Sequence, residues 1–444
     1  MLTELVGAIL IVLGLARVYM LFNSEGYLPP PFVFDVGDTY MDWFHTAYWA
    51  HKGSAYSFWR TIYLPLSFVI TGLFGDPRCY AQAQYDARAC DWIGYVAIWS
   101  MYAGCILVSW MAMARRDRSS AVYRTIALAL GGPMLFALER GNLIMLTYIP
   151  FVMVYGGLVR SRWAIALTSA FLANMKVYMV IPVFAMAIKR RWRLVELCAI
   201  ATIGLYLVTL FIVGEGTPIE IADNLQNWFS MRLGQIWDEV LYTTTYKPFL
   251  QLDVGQYPVR DYLYEEYVDI AKAIVGYYVL LSRGVCFLII GLAWFYPRAL
   301  TINRLIFFLL MQSFISQNPG GYCIAMLVFL VFMERDRNFA VVLSIICCYL
   351  MSIPGDWTIT KIIDVERESW LSGRMVLSAY VLPAGALIRP GIIAIVLWAL
   401  AIDSLINIHR AIRSGPPTLG LLKRWRDDGP APLALPAPLA AKPA

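Results

Sequence analysis

The chain has 444 residues, of which 60% are hydrophobic and 15% charged, with a net charge of +6 and a mean hydropathy of +0.62. A soluble fold of this length is excluded by such a composition, which marks a polytopic protein whose first partner is the lipid bilayer. Nucleic acid is not indicated by the positive balance, because the basic residues lie in short clusters between apolar runs, where they orient helices in the membrane.

Taken in order, residues 1–22 carry Glu4 near the start and no small-residue cleavage site, so they read as an uncleaved anchor helix. The next stretch, 34–63, is the first long polar, acidic and aromatic segment, and it holds Asp35, Asp38 and Asp42. On a helix Asp38 and Asp42 would share one face, and each would raise the other's proton affinity unless a cation or a water network separates them. Cys79 and Cys90 bracket the polar loop CYAQAQYDARAC, which could close a disulfide in an oxidising compartment or remain open. Cys105, Cys198, Cys286, Cys323, Cys347 and Cys348 lie in apolar runs and read as small hydrophobes. With only His45, His51 and His409, no histidine-rich metal centre is expected.

Basic clusters at Arg115, Arg116 and Arg118, at Arg160 and Arg162, at Lys189 to Arg193, at Arg298 and Arg304, and at Arg335 and Arg337 mark the cytoplasmic side by the positive-inside rule. This places residues 23–91 outside, with 62–75 as a short re-entrant or interfacial element. Three apolar runs are interrupted by polar residues at their middles and read as hairpins: 125–159 at Glu139 to Asn142, 163–188 at Asn174 and Lys176, and 305–332 at Ser316 to Tyr322. A spanning helix needs about 20 residues, so the arms of the two later hairpins stop within the bilayer. Their apices must then be buried in protein or line a wet cavity, and Arg140 and Lys176 should face that cavity and a partner.

The segment 194–213 spans outward, 215–269 is a polar and aromatic outer section, and 355–374 is a second outer loop whose charges form a solvated face. From 410 to the end, KRWRDD and a Pro/Ala-rich stretch read as a disordered cytoplasmic tail. The expected fold is therefore an all-α polytopic bundle of about 10–12 spanning or partly spanning helices, with a domain over 1–409, a first outer loop over 23–61 and a tail over 410–444.

The order of features is recognisable. Asp38 and Asp42 precede Gly53, Tyr56 and the Y-x-P-L of Tyr63 to Leu66. Arg140-Gly141-Asn142 follows, then A-x-x-K-x-x-x-x-x-P from Ala173 to Pro182, ending in KRRWR. This resembles membrane glycosyltransferases of the GT-C class, closest to glycosyltransferase family 87, over roughly the first half of the chain. Asn142 stands where that family commonly has Gln, and Asp42 where it commonly has an aromatic residue.

The resemblance implies an inverting transferase that takes a sugar from a polyprenyl-phosphate donor to a lipid-linked glycan or polysaccharide precursor outside the plasma membrane. It implies Asp38 as the base, with Asp42 assisting. Arg140, Lys176 and Arg389 are the candidates to meet the donor phosphate, because fixed cations compensate its charge. Asn142, Trp43 and Tyr63 are the candidate sugar or acceptor contacts. No cofactor or metal is obligatory, although Asp38 and Asp42 are a pair that could hold a divalent ion. The alternatives are a lipid-linked oligosaccharide flippase or transporter, and a polysaccharide polymerase or ligase; no internal repeat of the kind common in transporters is evident.

Overall fold

The computed structural model describes residues 2–32, 36–81, 83–231, 243–246, 265–317, 320–334 and 338–417. Asp35, most of the outer section after Met231, Arg335 and Arg337, part of the third hairpin turn and the tail beyond 417 lie outside the described residues.

Six helices among the described residues are long and apolar enough to cross a membrane. They are α1 (Leu2–Glu25), α5 (Trp92–Arg116), the pair α6 (Ala121–Ala129) and α7 (Gly132–Arg140), α11 (Trp192–Val213), α13 (Glu265–Phe295) and α17 (Ala384–Ser414). Their outward residues are bare hydrocarbon, among them Leu13, Phe211 and Leu280, as a lipid-facing surface requires. The chain is a polytopic membrane protein.

Between these spans lie the shorter apolar helices α8 (Ile144–Tyr155), α9 (Arg162–Met175), α10 (Ile181–Ile188), α14 (Ile302–Gln317), α15 (Ile324–Phe332) and α16 (Phe339–Ser352). All nine residues of α15 are buried; a helix apolar all round belongs inside the bundle, and it packs against α6, α7, α8, α14 and α16. The three interrupted runs form the expected hairpins. The first turns at Gly141, and the second breaks where Lys176 adopts extended backbone before a 3-10 turn at Val177–Val180 and Pro182.

The described basic clusters converge on one end of the bundle. Arg116 donates to the carbonyls of Met333 and Glu334, Arg115 to that of Gly157, Arg190 to that of Trp294, and Lys189 to those of Pro297 and Leu300. Buried pairs at the same end, Glu4 with Arg124 at 2.8 Å and Arg304 with Glu334 at 2.7 Å and Asp403 at 2.9 Å, tie α1 to α6 and α14 to α17. Ions this deep need such partners.

The opposite end carries the short elements α2 (Met41–Lys52), α3 (Pro65–Leu73) and α4 (Gln84–Cys90). The expected short element at 62–75 is α3, a nine-residue helix packed on α2, α9 and α11. Among the described residues the chain is helical, as expected, but the outer loop expected at 355–374 is corrected: it enters an antiparallel hairpin of β1 (Thr358–Glu368) and β2 (Met375–Pro383). The Thr, Ile and Val of TITKIIDV favour a strand, a signal masked by the charges between them, which are indeed exposed at Lys361, Asp364, Glu366 and Arg367. At the other margin, α17 runs on to Ser414, past the expected domain end at 409.

Cys79 and Cys90 form a disulfide with α-carbons 5.5 Å apart, while the other six cysteines are free and buried. Closing a loop of this size removes unfolded-state freedom worth about 2–4 kcal/mol. Cys79→Ser, or a reductant, is therefore expected to lower the midpoint of thermal unfolding in detergent, with no change in a Cys105→Ala control beyond packing.

Candidate functional site

The loop ahead of α2 is shaped by one strained residue. Tyr40 takes left-handed backbone, φ 65° and ψ 2°, which costs a non-glycine residue roughly 1–2 kcal/mol. It is held there by a hydrogen bond from its N–H to the carbonyl of Glu139 at 2.7 Å and by its ring edge against Tyr95. Asp38 therefore precedes the helix instead of lying on it, with its carbonyl accepting from Met41 N–H at 3.1 Å. The turn still presents Asp38 and Asp42 to the same point in space.

That point is Arg140, the last residue of α7. Gly141 caps the helix in left-handed backbone, φ 62°, and a Cβ there would lie 3.0 Å from the Tyr40 carbonyl and 3.2 Å from Trp43 Cβ. Only glycine combines this conformation with so close an approach. The consequence is that the end of α7 abuts the start of α2.

The guanidinium lies between the two carboxylates. One terminal nitrogen of Arg140 meets Asp38 Oδ2 at 2.6 Å and the other meets Asp42 Oδ1 at 2.8 Å. Asn142 donates from its amide to Asp42 Oδ2 at 2.6 Å, while its own Oδ1 caps the N–H of Ile144 at 2.8 Å. Both oxygens of Asp42 are thus engaged. Asp38 Oδ1 has only long contacts, 3.6 Å to His45 Nε2 and 3.5 Å to Tyr85 Oη, so it keeps lone-pair capacity for an incoming hydroxyl. Side-chain exposures of 17–20% for the three charged residues leave the cluster sheltered yet reachable. Glu139 completes the wall, accepting from Thr39 Oγ1 at 3.0 Å.

Burial opposes ionisation of Asp38, but His45 and the Arg140 guanidinium outweigh it and hold the carboxyl below its ordinary value of 3.8. A depressed carboxyl contributes stability that is present above the unfolded value and is lost as pH falls through the folded one. The difference in unfolding midpoint between the wild type and Asp38→Asn should therefore persist down to the ordinary carboxylate range and shrink only below it. Thermal melts in detergent across acidic buffers measure this.

The disulfide loop braces the cluster from outside. Arg88 donates to the carbonyls of Gly37 at 2.8 Å and Thr39 at 2.6 Å, on either side of Asp38, and stacks on Trp370 at 3.8 Å. Gln84 Oε1 lies 2.8 Å from His45 Nδ1. The sequence singled out none of Gln84, Tyr85 and Arg88, and His45 only as one of three histidines too few for a metal centre. The spacing of Asp38, Asp42 and His45, four and three residues apart, was the available signal.

Of the expected phosphate ligands, Lys176 sits near the cluster. Its ammonium lies over the ring of Tyr63 at 4.3 Å and within electrostatic reach of Asp42. Tyr63 also feels the charges of Asp42 and Arg140. Asp38 and Asp42 from either side of the start of α2, Tyr63 from the segment before α3, Arg140 and Asn142 from the turn between α7 and α8, and Lys176 from just after α9 are thereby gathered into one neighbourhood.

Two expected members are placed elsewhere. Trp43 is 1% exposed, and its indole packs onto Gly94 of α5, where a Cβ would lie 2.9 Å from Nε1; it is a core residue, about 100° around α2 from Asp42. Arg389 is 5% exposed and gives its guanidinium to both oxygens of Asp356, at 2.8 and 2.7 Å. Since Asp356 N–H also bonds the carbonyl of Pro30 at 2.7 Å, Arg389 fastens the foot of the β-hairpin to the first outer loop. The Arg140 guanidinium occupies the space between Asp38 and Asp42 in this structure. No family model, curated protein or solved structure matches the chain.

Proposed function

We propose that the protein is a membrane glycosyltransferase of GT-C type, resembling family 87, which moves a sugar from a polyprenyl-phosphate donor to a lipid-linked glycan or polysaccharide precursor at the outer face of the plasma membrane. The observation that carries this reading is the carboxylate pair clamped by Arg140 with the Lys176 ammonium close by, at the end of the bundle opposite the basic clusters.

In the proposed reaction an acceptor hydroxyl attacks the anomeric carbon, and its proton passes to Asp38 Oδ1 as the new C–O bond forms. The bond from the anomeric carbon to the phosphate oxygen breaks on the opposite side, so configuration inverts and the electron pair leaves with the phosphate. A phosphate leaving group needs no strong general acid, only a cation to meet its charge. Arg140 is already committed to two carboxylates and serves to position them. Lys176 forms no ion pair among the described residues, and so takes the phosphate.

The test is direct. Purified protein in lipid nanodiscs, given a panel of polyprenyl-phosphate sugars and membrane lipid extract as acceptor, should release polyprenyl phosphate and form a glycosylated lipid. Lys176→Met should raise the KM for the donor by about ten-fold or more, as expected for loss of a charge-assisted phosphate contact. Absence of turnover with every monophosphate donor, together with turnover from a diphosphate-linked one, would replace this reading with the polymerase or ligase alternative.

A further inference from the structure

The loop 53–64 joins α2 to α3 and carries, near its end, Tyr63, the ring on which the Lys176 ammonium rests. Tyr56 in this loop is 2% exposed, and its hydroxyl donates to the Tyr63 carbonyl at 2.7 Å. The loop is folded back on itself: Thr61 N–H bonds the Ala55 carbonyl at 3.1 Å, and Tyr63 N–H bonds Thr61 Oγ1 at 3.3 Å. Ser54 and Arg60 take left-handed backbone, φ 60° and 49°, which residues with a Cβ do not favour by themselves. The shape has to be imposed from outside the loop.

It is imposed from 160 residues further along the chain. Glu215, just after α11, accepts from Ala55 N–H at 2.9 Å. Gly216 then passes against the Tyr56 ring with φ 94°, where a Cβ would fall 2.5 Å from the ring; only glycine fits there. The helix α12 (Pro218–Met231) follows from a reciprocal cap, with Thr217 N–H donating to Glu220 Oε2 at 2.8 Å and Glu220 N–H to Thr217 Oγ1 at 3.3 Å. One turn beyond Glu220, Asn224 is 5% exposed and donates from its amide nitrogen to the carbonyls of Tyr56 at 3.0 Å and Thr61 at 3.1 Å. An amide nitrogen has two hydrogens to give, and both go to this loop.

We propose that Tyr56 and Asn224 are positioning residues for the donor-phosphate subsite: Asn224 sets the loop from α12, and Tyr56 fixes Tyr63, which supports the Lys176 ammonium. The inference rests on the reading of Lys176 as the phosphate ligand. It ties donor affinity to α12 through Tyr63.

The test compares Tyr56→Phe and Asn224→Leu, which remove the donors in question, with Tyr102→Phe, which removes a buried hydroxyl bonded to the carbonyl of Ala129 at 3.0 Å. The full chain in detergent is titrated calorimetrically with farnesyl phosphate. The expected Kd rises by about three- to ten-fold in Tyr56→Phe and in Asn224→Leu, the effect of one ordinary buried hydrogen bond, and stays at the wild-type value in Tyr102→Phe, although all three variants lower the unfolding midpoint. In transfer assays the first two should raise the donor KM and retain kcat. Amide hydrogen exchange of the ligand-free protein should be faster at 61–66 in those two variants than in the wild type or Tyr102→Phe.

Wild-type affinity in Tyr56→Phe, an equal loss in Tyr102→Phe, or unaltered exchange at 61–66 overturns the proposal. A loss of affinity confined to Lys176→Met overturns the proposal alone and leaves the phosphate reading standing. Equal binding by the wild type and Lys176→Met, or binding by neither, means that the phosphate reading itself has failed, and the proposal with it.

Discussion

Asp38→Asn is expected to reduce the proposed sugar transfer by about 10²–10⁴-fold, the range spanned by loss of a positioned general base, with donor KM little changed. The amide keeps the shape and can still accept from Arg140 through one oxygen, so folding should survive and the loss should appear in kcat. Asp42→Asn is expected to be milder. Each oxygen of Asp42 already accepts a short hydrogen bond, one from Arg140 and one from Asn142, whereas Asp38 Oδ1 has only long contacts and is the more available acceptor for a proton. Turnover in the two variants with a fixed polyprenyl-phosphate donor separates the roles: equal losses would remove the distinction between base and partner, and full activity of Asp38→Asn would sink the assignment of the base.

Arg140→Gln should have the second large effect, on stability as well as activity. The guanidinium is the shared partner of Asp38 and Asp42, with buried Glu139 adjacent, so its removal leaves like charges facing one another in a sheltered site. Removing one partner of a buried ion pair costs about 3–5 kcal/mol, and an upper-range value is moderated here because about a fifth of each side chain remains exposed. The expected readouts are a lowered unfolding midpoint in detergent and loss of transfer. The double variant Asp42→Asn with Arg140→Gln should recover part of the stability without recovering activity, because one uncompensated charge has gone while Asp38 remains unpositioned. A double variant no more stable than Arg140→Gln alone would show that charge repulsion is not the cause.

Arg389 illustrates what local reading cannot supply. In the sequence it is a cation near the outer end of an apolar helix, equivalent in kind to Arg140 and Lys176. The structure separates the three by their partners. Arg389 is neutralised by Asp356, 33 residues earlier, Arg140 is shared between two carboxylates, and Lys176 rests on an aromatic ring. Charge compensation decides which cation is available to a ligand, and compensation depends on neighbours remote in the chain.

Trp43 makes the same point for aromatic residues. A tryptophan beside Asp42 has the chemistry of a sugar platform, but consecutive residues on a helix point about 100° apart, and the face that carries Asp42 and His45 is not the face that carries Trp43. The hairpin of β1 and β2 was hidden for another reason. Its β-branched residues are interleaved with charges, and the composition of a loop and that of an exposed ribbon are nearly the same.

Hydropathy and the spacing of basic clusters were sufficient, read from the sequence alone, to determine a polytopic helical protein, its interrupted hairpins and the end of the bundle at which Arg140 and the acidic loop should lie. These properties are local: the length of an apolar run and the charges that flank it are set by adjacent residues. The tertiary structure alone decided that Asp38 and Asp42 close on Arg140, 98 residues beyond Asp42, that a left-handed Tyr40 and a left-handed Gly141 bring them together, and that a disulfide-closed loop holds His45 against the same carboxylate. Such contacts depend on which helix ends meet, and that is fixed by packing across the whole bundle.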